Sequence, residues 1–98
     1  MLAAGADKRR VLAALGDGQF FDSLAVDAEG HISVATLATG AVSDIWPDGS
    51  RIDQYLLPDP IVTNVCFGGP ELRTAFATLS MHGRLVAFDW PRPGAPLN

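Results

Sequence analysis

One cysteine, Cys66, stands in 98 residues, so no disulfide can close within the chain. It lies between Val65 and Phe67 in a strand-like run, which predicts a small buried apolar side chain and a reducing, cytoplasmic setting. Charge is also scarce: 18% of residues are charged, and the acidic excess leaves a net charge of -4. The one basic cluster is Lys8-Arg9-Arg10, and a chain without a basic stripe cannot neutralise a run of phosphates, which argues against a nucleic-acid partner. No apolar run approaches the length that spans a bilayer, so no membrane partner is expected. Only Val11 to Leu15 separates the basic cluster from Gly16-Asp17-Gly18, too short for the apolar region of a secretory signal. Apolar residues still make up 48%, a globular composition, although a chain of this length buries only ~60–70% of its unfolded surface.

What is present is a repeat of β-hairpins. In residues 21–36, Leu24 and Val26 alternate with small or polar neighbours, Asp27-Ala28-Glu29-Gly30 breaks the run, and Ile32 and Val34 resume it. Thr63-Asn64-Val65-Cys66-Phe67, a turn at Gly68-Gly69-Pro70-Glu71, and Thr74-Ala75-Phe76-Ala77-Thr78 repeat the pattern. Val11, Asp22 and Val26 match Ile52, Thr63 and Phe67 at an offset of 41 residues. Val34 matches Phe76 at 42, Val42 matches Leu85 at 43, and Trp46-Pro47 matches Trp90-Pro91 at 44. The drift falls at turns, where insertions are tolerated. Two units of roughly 40 residues with about four short strands each have the period of a propeller blade.

This reading predicts strands at 9–15, 22–27, 31–36, 41–46, 51–56, 63–67, 74–78 and 84–89. For 9–15 the repeat overrides the helix propensity of Lys8 to Leu15, because Arg10-Val11 aligns with Arg51-Ile52. The fold class is all-β, about two four-stranded antiparallel blades of an incomplete propeller ring. Residues 1–7 form a lead-in, 8–89 the blades and 90–98 a proline-rich tail. Leu24, Val26, Ile32, Val34, Val65, Phe67 and Phe76 are the predicted core, with Trp46 and Trp90 packed between blades. Blade logic puts segments 16–22, 37–40, 57–63 and 79–83 on one face and the turns 28–30, 47–50 and 68–71 on the other.

The first of these faces gathers the candidate site residues where inner strands converge. Asp22 begins one inner strand; Thr63 and Asn64 begin the other; Ser23 and His82 are further pocket candidates. Each also has an ordinary role as a strand-start or loop residue, and His31, at the opposite end, reads as structural or solvated. No G-x-S-x-G pattern supports a Ser/His/Asp triad. Asp44-Ile45-Trp46-Pro47-Asp48-Gly49 has the glycine placement of an EF-hand loop but Trp46 where an oxygen ligand belongs, and Gly68-Gly69-Pro70 lacks the lysine of a phosphate loop.

Residues 21–30, 63–75 and 83–94 resemble, in order and spacing, the C-terminal part of the senescence-marker-protein/gluconolactonase (luciferin-regenerating-enzyme-like) family. The resemblance runs from about Val11 to the end of the chain. It implies a six-bladed propeller of roughly three times this length, hydrolysis of sugar lactones or related esters, and one divalent cation (Ca, Zn, Mn or Mg) on the axis. The family binds that cation through a glutamate of the first blade, an asparagine of the middle and an aspartate opening a later inner strand. Asp22 matches the aspartate, which implies a metal-binding and catalytic role; the other two ligands belong to blades that these residues do not include.

Three readings follow. The chain is the C-terminal portion of a lactonase, inactive alone; or a self-assembling module, three copies completing a six-bladed ring; or a non-catalytic binding module.

Overall fold

The computed structural model describes residues 9–96. The predicted lead-in, 1–7, lies outside them. Seven strands form two antiparallel sheets: β1 (Phe20–Val26), β2 (Ile32–Leu37), β3 (Ala41–Ile45) and β4 (Ile52–Leu56) in one, β5 (Val62–Gly68), β6 (Thr74–Leu79) and β7 (Arg84–Asp89) in the other. Each strand pairs with the next in sequence, as period-2 runs joined by tight turns dictate. At one such turn Gly40 sits at φ 76°, and a Cβ there would lie 2.1 Å from the Asp59 carbonyl oxygen, so only glycine fits.

Seven of the eight predicted strands are present. Residues 9–15 carry no strand, and the second sheet has three strands, not four. Both corrections have one cause. A β-strand needs a neighbour to satisfy its backbone groups, and residues 9–15 correspond to β4, an outermost strand, without the sheet to which it would be outermost.

The sheets pack face to face. Ala35 and Val42 of the first meet Val65, Ala75, Ala77 and Leu79 of the second in one apolar cluster. Trp90 closes it, with its ring 4.7 Å from Tyr55, 5.7 Å from Phe67 and 6.1 Å from Phe88. Trp90 thus lies between the sheets as expected. Trp46 does not: half-buried at the end of β3, it stacks on His31 at 4.6 Å and under the Arg51 guanidinium at 4.7 Å.

The predicted core is also corrected. Val34 and Val65 are buried, but Leu24 is 58% exposed and Val26 is exposed too: Leu24 shares a face with its cross-strand partner Val34, but β1 is the edge of its sheet and β2 lies inside it. Cys66 is likewise exposed, on the outward face of the second sheet. Period 2 identifies which residues share a face, not which strand is an edge.

The loops divide as predicted. At one end, Ala38 N donates to Pro60 O, Leu57 N to Gly40 O and Ser80 N to Ile61 O. At the other, residues 90–95 cross the turns: Ala28 N donates to Pro93 O, Gly94 N to Leu72 O and Ala95 N to Val26 O. No helix among the described residues is long and apolar enough to cross a membrane.

Candidate functional site

The two inner strands, β1 and β5, lie side by side, and each carries one extra residue near its start. In β1 the pairing slips between Phe21 and Leu24; in β5 it slips between Val62 and Asn64. These are the same positions in the repeat. A β-bulge re-aims side chains out of the regular alternation and is common beside active sites. Here it sits at Asp22-Ser23 and Thr63-Asn64, four of the five residues singled out from the sequence.

The structure joins them in part. Ser23 Oγ donates to Asn64 Oδ1 across the two sheets, and Asn64 Oδ1 also accepts Val65 N at 2.9 Å. Thr63 Oγ1 is 2.9 Å from Thr78 Oγ1 and 2.6 Å from Ser80 Oγ, a hydroxyl cluster one step further along the mouth. Asp22 is exposed and, among the described residues, makes no hydrogen bond or ion pair. His82 is exposed on the rim, where its backbone N donates to Asp59 Oδ2 at 3.0 Å.

Asp59, buried at this end, is what holds the rim. Its Oδ1 accepts Ile61 N at 2.7 Å while Oδ2 takes His82 N, so one carboxylate ties the loop before β5 to the loop before β7. Burial alone would push this carboxyl up, but the backbone N–H donors of Ile61, His82 and Met81 outweigh it and hold it below the ordinary carboxylate range. A depressed folded value adds stability above the unfolded value, about 3.9, and that stability is lost as pH falls through the folded one. Asp59→Ala is therefore expected to melt earlier than wild type at pH 7, with the gap narrowing as pH falls below the ordinary carboxylate value of about 3.9; thermal melts on both sides of that pH, followed by circular dichroism, check it.

A second polar cluster lies at the opposite end, and sequence reasoning missed it. Asp27, His31 and Asp44 bring one ligand atom each within 4.8 Å of one another, all buried. Asp27 Oδ1 accepts the backbone N of Glu29 and of His31, both at 3.0 Å. Its Oδ2 accepts Arg92 Nε at 2.5 Å; Asp44 Oδ2 accepts Arg92 Nη2 at 2.6 Å and Asp44 Oδ1 faces His31 Nδ1 at 3.1 Å. Burial would lower the Arg92 pKa, but its bonds to both aspartates carry it above the ordinary value. All four carboxylate oxygens are engaged and the guanidinium supplies the countercharge. The donor set therefore does not fit a cation, which would have to displace Arg92. It fits a clasp that fastens residues 90–95 to the first sheet. The one signal in the sequence was the pair of strand-end aspartates; nothing local connects Asp27 to an arginine 65 positions away.

The mouth does not fit a cation within one chain either. A hard cation takes six or more oxygen ligands, and Asp22 is the single carboxylate among the bulge residues, with Asn64 Oδ1 already accepting two hydrogen bonds.

Comparison with known proteins places the chain among lactonase relatives. The chain is 37% identical over 83 residues to a 6-deoxy-6-sulfogluconolactonase of Pseudomonas putida, which is 83% of this chain and 28% of that protein. It is 37% identical over 57 residues to a pentonolactonase of Haloferax volcanii, covering 58% of this chain and 20% of the relative. It is 35% identical over 72 residues to regucalcin of Xenopus laevis, covering 72% and 23%. The matches thus span roughly a quarter of these relatives' lengths. Residues 2–81 match the model of the SMP-30/Gluconolactonase/LRE-like region, and with most of its length inside that match the chain belongs to this family.

Proposed function

We propose that the chain is part of a lactone-hydrolysing propeller, its two sheets acting as neighbouring blades, and that it does not hydrolyse lactones as a single chain. The observation that carries this reading is the matched pair of β-bulges, which sets Asp22 and Ser23 beside Thr63 and Asn64 at one mouth.

In the reaction, a water oxygen bonds to the lactone carbonyl carbon, the ring C–O bond breaks, and a proton passes from the water to the departing alkoxide, leaving a hydroxy acid. Asp22, exposed and without a partner among the described residues, accepts the water's proton. Ser23, Thr63 and Asn64 are placed to hold the hydroxyls of a sugar lactone, and His82 stands at the rim. A divalent cation would supply polarisation of the carbonyl only where oxygen ligands from other blades join Asp22; no role assigned to these residues passes through it.

Sugar lactones with five- and six-membered rings, titrated at constant pH with added Ca, Mg, Mn or Zn, test the reading. The monomeric chain is expected to match the buffer rate. Assembled material is expected to show a cation-dependent rate that Asp22→Asn lowers by ~10²-fold or more. An assembled form without activity under any cation would leave a non-catalytic binding module.

A further inference from the structure

We infer that the substrate of this site is a lactone carrying an unbranched apolar chain, its ring at the mouth and its chain in a cleft along the two inner strands. The inference rests on the lactonase reading of the mouth and names the substrate class that the mouth residues alone leave open.

The cleft has a volume of about 380 Å³, within the range of ~300–1,000 Å³ usual for small-molecule sites. Leu24, Ala25 and Val26 of β1 line one side and Val65, Cys66 and Phe67 of β5 the other. Ala95 closes the end away from the mouth, where its N donates to Val26 O at 3.1 Å.

The cleft continues the mouth on the same two strands. Ser23 and Asn64, hydrogen-bonded across the sheets, directly precede Leu24 and Val65. An extended strand advances roughly 10 Å from residue 23 to residue 26. A substituent on a lactone ring held by Ser23 and Asn64 therefore passes straight into the cleft.

The lining decides what that substituent is. No charged, hydroxyl or amide side chain among the described residues lines the cleft, and the Cys66 thiol is only a weak donor. A polyhydroxy chain would give up its water there for few hydrogen bonds in return, which is costly. An alkyl chain instead removes apolar surface from water on both sides of the contact. That surface is available, since Leu24 is 58% and Val26 43% exposed. It is also held in place. Phe67 packs on Trp90 at 5.7 Å and lies so close to Gly94 that a Cβ there would stand 2.5 Å from the Phe67 Cβ. A fixed wall of this kind binds without the cost of ordering itself.

Alkylation of Cys66 by iodoacetamide tests the inference, because the chain's one thiol lines the cleft and is exposed. The probes are γ-lactones bearing an octyl, a butyl or no chain, with gluconolactone and octanol beside them. The octyl lactone at saturation is expected to slow alkylation at least ~10-fold by blocking access to the thiol. The half-protecting concentration is expected to fall by up to about fourfold per added methylene. The unsubstituted lactone and gluconolactone are expected to leave the rate unchanged. Octanol, which has no ring to meet the mouth, is expected to need ~10-fold more than the octyl lactone. Leu24 is exposed and outside the core cluster, so Leu24→Thr is expected to keep the wild-type melting curve. The same variant is expected to raise the octyl lactone's half-protecting concentration ~5-fold or more.

No protection by the octyl lactone, equal protection by all three lactones, octanol acting at the octyl lactone's concentration, or protection untouched by Leu24→Thr each overturns the inference. The readout needs no turnover, so it is separable from the lactonase reading. Chain-length-dependent protection without hydrolysis in any assembled form upholds the cleft and overturns the hydrolysis. Hydrolysis of sugar lactones without such protection does the reverse.

Discussion

Trp90→Ala is expected to be the most damaging single substitution in the chain. The indole is 3% exposed and touches Tyr55 and Phe67, one from each sheet, as well as Phe88. Truncating a buried tryptophan costs ~3–5 kcal/mol, against a total of ~5–15 kcal/mol for a typical domain. The rest of the core offers little to close the gap, since Ala35, Ala75 and Ala77 have side chains too short to fill it. In urea, Trp90→Ala should lose most of its cooperative transition, while Trp90→Phe, which keeps an aromatic ring between the sheets, should retain one. Equal transitions for Trp90→Ala and wild type would show that the sheets do not depend on this contact.

Arg92→Ala ranks second, for an electrostatic reason. It leaves the buried carboxylates of Asp27 and Asp44, 2% and 0% exposed, without their countercharge. Removing one partner from a buried pair costs ~3–5 kcal/mol, whereas replacing the whole set with neutral groups is often close to neutral. Arg92→Met combined with Asp27→Asn and Asp44→Asn should therefore recover much of the midpoint that Arg92→Ala loses, as read in urea denaturation. Arg92→Lys should fall between, because one ammonium cannot present the two separate donors, Nε and Nη2, that the two aspartates take. If the triple variant is no more stable than Arg92→Ala, the clasp is not an ion-pair network, and its contribution lies in packing over Trp46 and Trp90.

How far the sequence discloses this protein follows from the range of each interaction. Hairpins are local: Ala-Glu-Gly after Asp27 and the turns near Gly49 and Gly69 fix which runs pair, so seven strands were legible with ends off by a residue or two. The internal repeat placed Asp22 against Thr63, and the structure gives both positions a bulge, a feature that pattern reading does not show because it is one extra residue in an otherwise alternating run. Burial was legible only where a neighbour exists. Leu24 and Val34 look alike in the sequence and are paired across β1 and β2 on one face, yet one is open and the other closed, since β1 is the edge of its sheet and β2 lies inside it. Residues 90–95 show the same limit from the other side. Three prolines rule out strand pairing for most of the segment, but the contacts it makes, Arg92 with Asp27 and Gly94 against the Phe67 ring, join positions that no periodicity links.

The central claim is that one chain holds only part of a lactonase site. It is tested most directly by the hydrolysis rate per chain, measured with a divalent cation present on size-separated fractions over a wide range of concentration. The account predicts the buffer rate for the 10.4 kDa species at every concentration and activity confined to the assembled fraction, absent in Asp22→Asn. A rate per chain that stays constant on dilution, carried by the 10.4 kDa species, would contradict it.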